Sequence, residues 1–461
     1  MASSDSVSVK TEQLPVGSKL SHPVNDGDGR LLLASGVTLT KRLKDRLLAR
    51  GITEVLLHPD DVAALFGGNT SQPPTHPKSP PRAAQPARSL EKESAQQTAL
   101  REAVASVKVQ AAALASSVSR KVQNAGPALS ERQKNHGTAP YDHQQRERLT
   151  QHFAVTAHRL AEIAKTAVAG RIDDDQTLAA VTEDYVAELT DDTDNVIATS
   201  RELAPSPALT ERGIRLALLG MAMAIEMDWD EHNVREVGLC GLVHDFGMYR
   251  LDERLRDQRS KLSAADFREI TDHPLHTLDM LSSMQNISLT VRLAATQVHE
   301  NPDGSGYPRG ITADEIHPYA ALLQAADAYI SLTAEMHGRP AYLSYDAIVY
   351  LLNQVKAGRI DEQSMRALLQ VVALFPIGSH VRLSDGTEAQ VIRRNGGNYT
   401  APIVQRVGAD RKAHFDSAHA SIIDLAAAKM SVMSPLVPPD STEERLDESL
   451  MAEVLWNGIT S

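Results

Sequence analysis

Five polar side chains that can bind metal ions lie at or inside apolar helical segments in the middle of the chain. His244 and Asp245 are adjacent at the end of one apolar run, His273 begins a second helix, and His299 ends a third. Asp327 lies within a fourth helix that is apolar on most faces, where an unpaired carboxylate would be costly. Imidazole nitrogens and carboxylate oxygens suit iron, manganese or zinc. Together these residues predict a mixed nitrogen and oxygen metal site.

Each of the five also has a simpler interpretation when it is taken alone. Most single histidines are hydrogen-bonded groups of the core or surface, and Asp327 alone could form a salt bridge between two helices. The metal site is favoured only because all five occur on four apolar helices of one predicted domain.

A glycine-rich loop follows directly after the helix that ends in His299. Gly304 and Gly306 allow backbone conformations that other residues rarely adopt, and Pro308 ends regular structure. Asp303 and Tyr307 lie between these residues, in a loop whose composition suits a close approach to a ligand. Asp-Gly and Gly-Tyr-Pro also occur in ordinary turns. The loop therefore indicates a ligand site only in combination with the histidines near it in the sequence.

The composition restricts the class of protein. A chain of 461 residues predicts two or three domains, and 4% aromatic residues with abundant alanine and leucine favour helical packing. A net charge of −12 argues against a nucleic-acid or anionic-membrane partner, although a metal or a local arginine can still bind a small anion. The single Cys240 fits a reducing compartment, and the N-terminus has no signal pattern, so we expect a cytoplasmic protein without a membrane span.

Changes in periodicity along the chain predict five segments, and the fold class is mainly α. The segments are a small α/β module at 12–66, a Pro/Ser-rich linker at 67–145 with an amphipathic helix at 91–123, a helical domain at 146–372, a small β module at 375–426 and a flexible tail at 427–461. The helix at 91–123 carries an apolar stripe that fits either a protein partner or self-association through a coiled coil, or a helix lying on its own domain. The N-terminal module shows no chemistry and is interpreted as a docking or sensory unit.

The order of these residues resembles the HD-GYP family of metal-dependent phosphohydrolases. The stretch GLVHDFGM around His244 and Asp245 is similar to the HD segment of that family, and VHENPDGSGYP, which ends at Pro308, is similar to its signature loop. The resemblance covers residues 207–352. It implies a helical domain that binds cyclic di-GMP and hydrolyses it to the linear dinucleotide or GMP with two divalent metals, commonly iron or manganese.

The resemblance also assigns roles to individual residues. His244, Asp245, His273, His299 and Asp327 would be the metal ligands. Tyr307 and the loop backbone, from Asp303 through Gly304, Gly306 and Pro308, would hold the substrate. Arg339 would contact a phosphate. Two cations held close together would activate a water molecule and stabilise charge on the phosphoryl oxygens.

The chain departs from the family pattern at positions that concern the metals. Arg212 stands where the family has a ligand histidine, Val298 replaces the first of two adjacent histidines, and Met248 replaces a lysine at the end of the HD segment. Arginine is not deprotonated in proteins and does not coordinate a cation, so we expect its guanidinium to pair with Asp245 and Asp327 in place of one metal. Glu211 or His276 could instead supply a substitute ligand.

Two hypotheses follow. The protein is either a cyclic di-GMP phosphodiesterase with an incomplete metal site, or an inactive regulator that binds cyclic di-GMP or a protein partner and holds one metal or none. A hydrolase of another phosphate ester is a further alternative, because fold does not determine function.

Overall fold

The structure is a computed structural model, and it describes residues 7–15, 18, 20, 22, 24–25, 31–33, 44, 53–66, 106–169, 175–203, 208–256, 263–335, 339–408, 422–438 and 441–446. The chain divides into two compact units, residues 1–86 and 87–461. Most of the described residues of the second unit are helical, and each unit contains a small sheet. The predicted fold class, mainly α with small modules at both ends, is therefore confirmed.

The first unit is built on a four-stranded sheet in the order β1-β4-β2-β3. Its strands are β1 (Val7–Lys10), β2 (Val24–Asn25), β3 (Leu31–Leu33) and β4 (Glu54–Leu57), followed by the helix α1 (Pro59–Phe66). Among its described residues, the buried core consists of Leu14, Leu20, Val24, Val55 and Leu57. Apart from Lys44, residues 34–52 of the predicted α/β module lie outside the described residues.

The second unit is organised around one large apolar core. Its helices are α2 (106–117), α3 (His143–Val168), α4 (Asp175–Arg201), α5 (Leu209–Glu226), α6 (Glu231–Val243), α7 (Glu253–Arg256), α8 (Ala264–Ile270), α9 (His273–Ser282), α10 (Leu289–Gln297), α11 (Pro318–Leu332), α12 (Ser344–Lys356) and α13 (Glu362–Val372). Helix α5 is almost fully buried along its length because it lies at the centre of this core, where α6 and α11 pack against it. No helix among the described residues is long and apolar enough to cross a membrane.

The C-terminal module is a five-stranded antiparallel sheet in the order β8-β7-β6-β5-β9. Its strands are β5 (His380–Leu383), β6 (Glu388–Arg393), β7 (Ile403–Arg406), β8 (Ile422–Asp424) and β9 (Val432–Leu436). Strand β9 lies within the predicted flexible tail, so that prediction is wrong for these residues. Val432–Leu436 form a strand despite Pro435 because β5 offers a free edge. The following segment also packs, since Leu446 is buried and its N–H donates to Asp346; residues 447–461 lie outside the described part.

The predicted linker is also wrong for its second half. Leu129 is buried, and the backbone N–H groups of Ala125 and Gly126 donate to the Asp230 carboxylate, so this segment belongs to the helical unit. Within α2, Ala111 is buried against Leu275 and Leu278 of α9. Residues 106–117 therefore lie on their own domain, the second of the two arrangements expected for this amphipathic helix, while residues 91–105 lie outside the described part.

Candidate functional site

Three histidines from different helix ends converge on one carboxylate. The Nε2 atom of His273 lies 3.0 Å from Oδ1 of Asp245, and Nε2 of His299 lies 3.5 Å from the same oxygen. Nε2 of His244 lies 3.3 Å from Oδ2 of Asp245. Burial raises the pKa of the Asp245 carboxyl, but the neighbouring imidazoles more than offset this and hold the pKa well below its ordinary value. The carboxylate is therefore charged and central to the site.

The backbone sets the orientation of two of these imidazoles. Nδ1 of His244 lies 2.9 Å from the carbonyl oxygen of Gly241, and Nδ1 of His273 lies 2.7 Å from that of Ile270. A carbonyl accepts a hydrogen bond, so each Nδ1 carries a proton, and Nε2 is the nitrogen of each ring that a metal would bind once it is deprotonated. Hydrogen bonds of this kind at the far ring nitrogen orient metal-binding histidines. The Nε2 atoms of His244, His273 and His299 are buried and form no well-aligned hydrogen bond within the described residues.

A close contact between α9 and the segment after α6 holds His244 and His273 together. The N–H of Gly247 donates to Oγ1 of Thr277 over 2.9 Å, and that hydroxyl donates to the carbonyl oxygen of His244 over 2.8 Å. A Cβ on Gly247 would lie 1.9 Å from the carbonyl oxygen of His273, so only glycine fits. Sequence reasoning missed both residues, although Thr277 lies four residues after His273 on the same face of α9.

Arg212 of α5 reaches the same site and pairs with two carboxylates. Its Nη2 atom lies 3.1 Å from Oδ1 of Asp327, and its Nη1 atom lies 3.9 Å from Oδ2 of Asp245. The Arg212 side chain is 7% exposed, so these charges interact with little screening by water. Burial opposes the charged form, but Asp327 and Asp245 outweigh it and raise the pKa of Arg212. The guanidinium thus supplies a positive charge between the carboxylates, as its position in the sequence led us to expect.

The remaining altered positions contribute no polar group. Met248 is buried in an apolar cluster with Leu251, Leu255 and Ile270, and Val298 is buried in the main core. Of the two substitute ligands considered, Glu211 accepts the N–H of Ala208 and so caps its own helix. Neither Glu211 nor His276 belongs to the cluster of possible ligands at His244, Asp245 and His299.

The glycine-rich loop is held in place through Glu300. Its carboxylate accepts the backbone N–H groups of Arg309, Gly310 and Ile311 over 2.7–3.1 Å. A Cβ on Gly306 would lie 2.3 Å from the backbone nitrogen of Asn301 and 2.5 Å from Cα of Glu300, so the loop closes on itself at this glycine. The sequence identified the glycine but not this role of Glu300, although the carboxylate next to His299 was a visible signal.

The loop brings the Tyr307 ring against the histidines. The rings of Tyr307 and His299 stack with centroids 5.0 Å apart and an interplanar angle of 16°, and the Tyr307–Pro308 peptide bond is cis. Gly304 has a φ of +78°, as its turn requires. Asp303 accepts the N–H of Ser305 and pairs with Nε of Arg359 at 3.3 Å. Of the predicted substrate residues in the loop, Tyr307 therefore contacts the histidines, while Asp303 pairs with Arg359.

Arg339 has a different environment. Its guanidinium donates to the carbonyl oxygens of Ser331, Leu332, Ala334 and Pro340 around the end of α11, and it lies 4.8 Å from the centroid of the Tyr342 ring. These contacts cap the helix that carries Asp327. A contact between Arg339 and a phosphate remains a prediction from the resemblance.

The donor groups fit one metal ion better than two. Donor atoms of His244, Asp245 and His299 lie within 4.8 Å of one another, and the Nε2 atoms of both histidines face the Asp245 carboxylate. A second cation would need Asp327, but the carboxylate of Asp327 already binds the Arg212 guanidinium. Arginine cannot coordinate a cation. The residues present therefore suit one metal ion at the histidines, with the Arg212 guanidinium as the positive charge beside Asp327.

Comparisons with known proteins agree with the position of this site. Residues 198–363 match the model of the HD domain family. A cyclic di-GMP phosphodiesterase of Pseudomonas aeruginosa is 28% identical over 192 residues, which is 42% of this chain and 46% of that protein. A cyclic di-GMP phosphodiesterase of Borreliella burgdorferi is 21% identical over 194 residues, 42% of this chain and 51% of that protein. The chain thus spans about half the length of these relatives.

Other similar proteins act on a different cyclic dinucleotide or share only limited similarity. A 3'3'-cGAMP-specific phosphodiesterase of Vibrio cholerae is 30% identical over 137 residues, 30% of this chain and 29% of that protein. Among solved structures, Bd1817, an HDG"Y"P protein from Bdellovibrio bacteriovorus, aligns with 79% of this chain and 98% of its own, at a TM-score of 0.38 and 14% identity.

Proposed function

Because its helical domain belongs to the HD-GYP family, we propose that this protein binds cyclic di-GMP and acts as a regulator rather than an efficient phosphodiesterase. The relatives that it matches are phosphodiesterases of cyclic dinucleotides. We propose regulation instead of efficient hydrolysis because of a single observation, the ion pair between Arg212 and Asp327.

That ion pair bears on hydrolysis because a two-metal site uses both cations during the reaction. Metals in such a site hold the attacking and leaving oxygens and lower the pKa of a bound water molecule. A guanidinium neutralises carboxylates but cannot activate water, because it has no acceptor and no open coordination position. With Arg212 beside Asp327, the pocket keeps its balance of charge and its affinity for phosphate while it loses one of the two reactive cations.

Binding of the nucleotide is supported by the loop and by the arginines around it. The ring of Tyr307 lies at the histidines, and such a surface suits stacking of a base or contact with a ribose. Arg309 directly follows the loop, and Arg359 reaches Asp303 with a side chain that is 37% exposed. A guanidinium binds phosphate oxygens with two donors, so both arginines are candidates for contact with the nucleotide.

The proposal is tested by measuring binding and turnover with the same preparation. We expect the wild-type protein to bind cyclic di-GMP in calorimetry and to release little linear dinucleotide or GMP with added manganese or ferrous iron. Arg212→His should bind an additional metal ion and raise turnover by about 100-fold or more, since a catalytic metal is worth several kcal/mol of stabilisation. Arg366→His, at a side chain that is 71% exposed, is the matched control and should change neither quantity.

Rapid turnover by the wild-type protein, or a complete lack of nucleotide binding, would each overturn the proposal. If Arg212→His does not fold, as judged by circular dichroism, the two measurements on the wild-type protein still decide the question.

A second candidate function, a phosphodiesterase with one metal ion, is favoured by the three imidazole Nε2 atoms that converge on Asp245. One bound cation there would supply a Lewis acid and an activated water molecule. His244, His273 and His299 would orient it, and Arg212 would stabilise negative charge on the phosphoryl oxygens. Turnover by the wild-type protein that requires metal and disappears in Asp245→Asn supports this candidate over the first.

A further inference from the structure

A second group of metal-binding side chains lies in the N-terminal unit, far along the sequence from the HD residues. Donor atoms of His22, His58 and Asp60 lie within 4.8 Å of one another. Asp61 adds a carboxylate, whose Oδ2 lies 3.4 Å from Nδ1 of His22. The proposed function uses none of these residues, and no motif in the sequence of this module indicates chemistry.

The fold of the module brings the two histidines together from separate segments. His22 lies in the loop before β2, and His58 lies between β4 and α1. The backbone N–H of His22 donates to Oδ2 of the buried Asp61 over 2.8 Å, which ties the loop to the first turn of α1. The two imidazole rings stack with centroids 3.9 Å apart and an interplanar angle of 17°. Their placement therefore depends on tertiary contacts and not on sequence neighbours.

The donor atoms have the environment that a metal ligand needs. Nδ1 of His22 is buried and has no hydrogen-bond partner within the described part of the chain. The side chains of His22 and His58 are 37% and 38% exposed, so an ion can reach the group from solvent. Nδ1 of His58 lies 3.4 Å from Oδ2 of Asp60 and accepts the N–H of Asp60 over 3.3 Å, a hydrogen bond that a metal ion at Nδ1 would replace.

We infer that His22, His58 and Asp60, with Asp61 alongside, form a binding site for a divalent transition-metal ion of the zinc type. Two imidazoles and one or two carboxylates are ligands that zinc accepts in tetrahedral sites. Ligand atoms on one tetrahedral zinc ion lie roughly 3.4 Å apart. The two stacked rings must turn so that one nitrogen of each points at the ion. Bound metal would link the segment at His22 to α1 and stabilise this module.

The test compares zinc bound by the full-length wild-type protein and by His22→Asn/His58→Asn after incubation with excess ZnCl2 and desalting. We expect the double variant to hold one zinc ion per chain fewer than the wild type. His232→Asn, which changes a histidine that is 72% exposed and outside the group, is the matched control and should retain the wild-type amount. Equal zinc contents in the wild type and the double variant would overturn the inference.

A measurement on the wild-type protein alone guards against misfolding of the double variant. Diethyl pyrocarbonate modifies accessible histidines, and mass spectrometry reports the extent of modification at each one. Zinc should protect His22 and His58 but leave His232 as reactive as before. Unchanged modification of His22 and His58 in the presence of zinc would refute the site. Both tests concern residues 22 and 58, so their outcomes are independent of the function proposed for the helical domain.

Discussion

Arg212→Ala should lower the free energy of unfolding of the helical domain by about 3–5 kcal/mol in metal-free buffer, the usual cost of removing one partner of a buried ion pair. The substitution leaves the carboxylates of Asp327 and Asp245 with less positive charge nearby, and Asp245 is buried. Thermal or urea unfolding followed by circular dichroism measures the change. Arg366→Ala removes an arginine from an exposed pair and should change stability by less than about 1 kcal/mol.

Divalent metal should restore much of the stability that Arg212→Ala loses. Manganese or zinc can enter the space that the guanidinium leaves and neutralise the same carboxylates, and a ligand that binds only the folded state raises its stability. We therefore expect a larger increase in melting temperature on adding metal for the variant than for the wild type. A variant as stable as the wild type without metal would mean that Arg212 does not balance these carboxylates.

Gly247→Ala is expected to destabilise the domain by about 3 kcal/mol or more, the upper end of the cost of overpacking. The added Cβ would meet the carbonyl oxygen of His273 and the backbone nitrogen of Thr277, and backbone atoms cannot rotate away as a side chain can. Relief requires α9 to move from the HD segment, so the distances between His273 and Asp245 should increase. Metal affinity should fall together with stability in calorimetric titrations.

Gly397→Ala is the matched control for this substitution. A Cβ at Gly397 would meet no atom within 4 Å, so stability and metal affinity should stay within about 0.5 kcal/mol of the wild type. If Gly247→Ala behaved like Gly397→Ala, the tight packing of α9 on the HD segment would not be needed to hold the histidines.

The helical domain and the identity of its polar residues could be predicted because apolar periodicity and motif order are local properties of the sequence. Motif order identified Asp245 together with His244, His273 and His299, and the structure brings the three imidazoles to the Asp245 carboxylate. The family assignment from these motifs is confirmed by the HD model and by the similar phosphodiesterases. The register that placed Arg212 at a ligand position agrees with its contact to Asp327.

Features that depend on tertiary contacts could not be predicted in the same way. The sequence gives no sign that Thr277 differs from an ordinary helix residue, because its hydrogen bond to His244 forms only where α9 packs on the HD segment. His22 and His58 are separated by 36 positions in the chain, and only the sheet of the first unit brings their rings together. Strand β9 was missed because its proline, serine and flanking polar residues resemble a mobile tail, whereas the free edge of β5 determines its conformation.

An internal guanidinium and an exchangeable metal differ in what they provide to a pocket of this kind. Arg212 is always charged and always present, so it balances the carboxylates of Asp245 and Asp327 regardless of metal supply. A metal ion supplies reactivity but can be lost. Under the proposed function, this internal charge would keep the nucleotide-binding site organised without a second metal, as expected of a nucleotide-responsive regulator.

Anomalous diffraction from crystals grown with excess manganese would show directly how many cations bind beside Asp245. We expect no more than one manganese peak in the helical domain, close to the Nε2 atoms of His244 and His299, with Arg212 still paired to Asp327. Two well-occupied manganese peaks flanking Asp245, with the Arg212 side chain turned away from Asp327, would show instead that the site assembles a complete pair of metals.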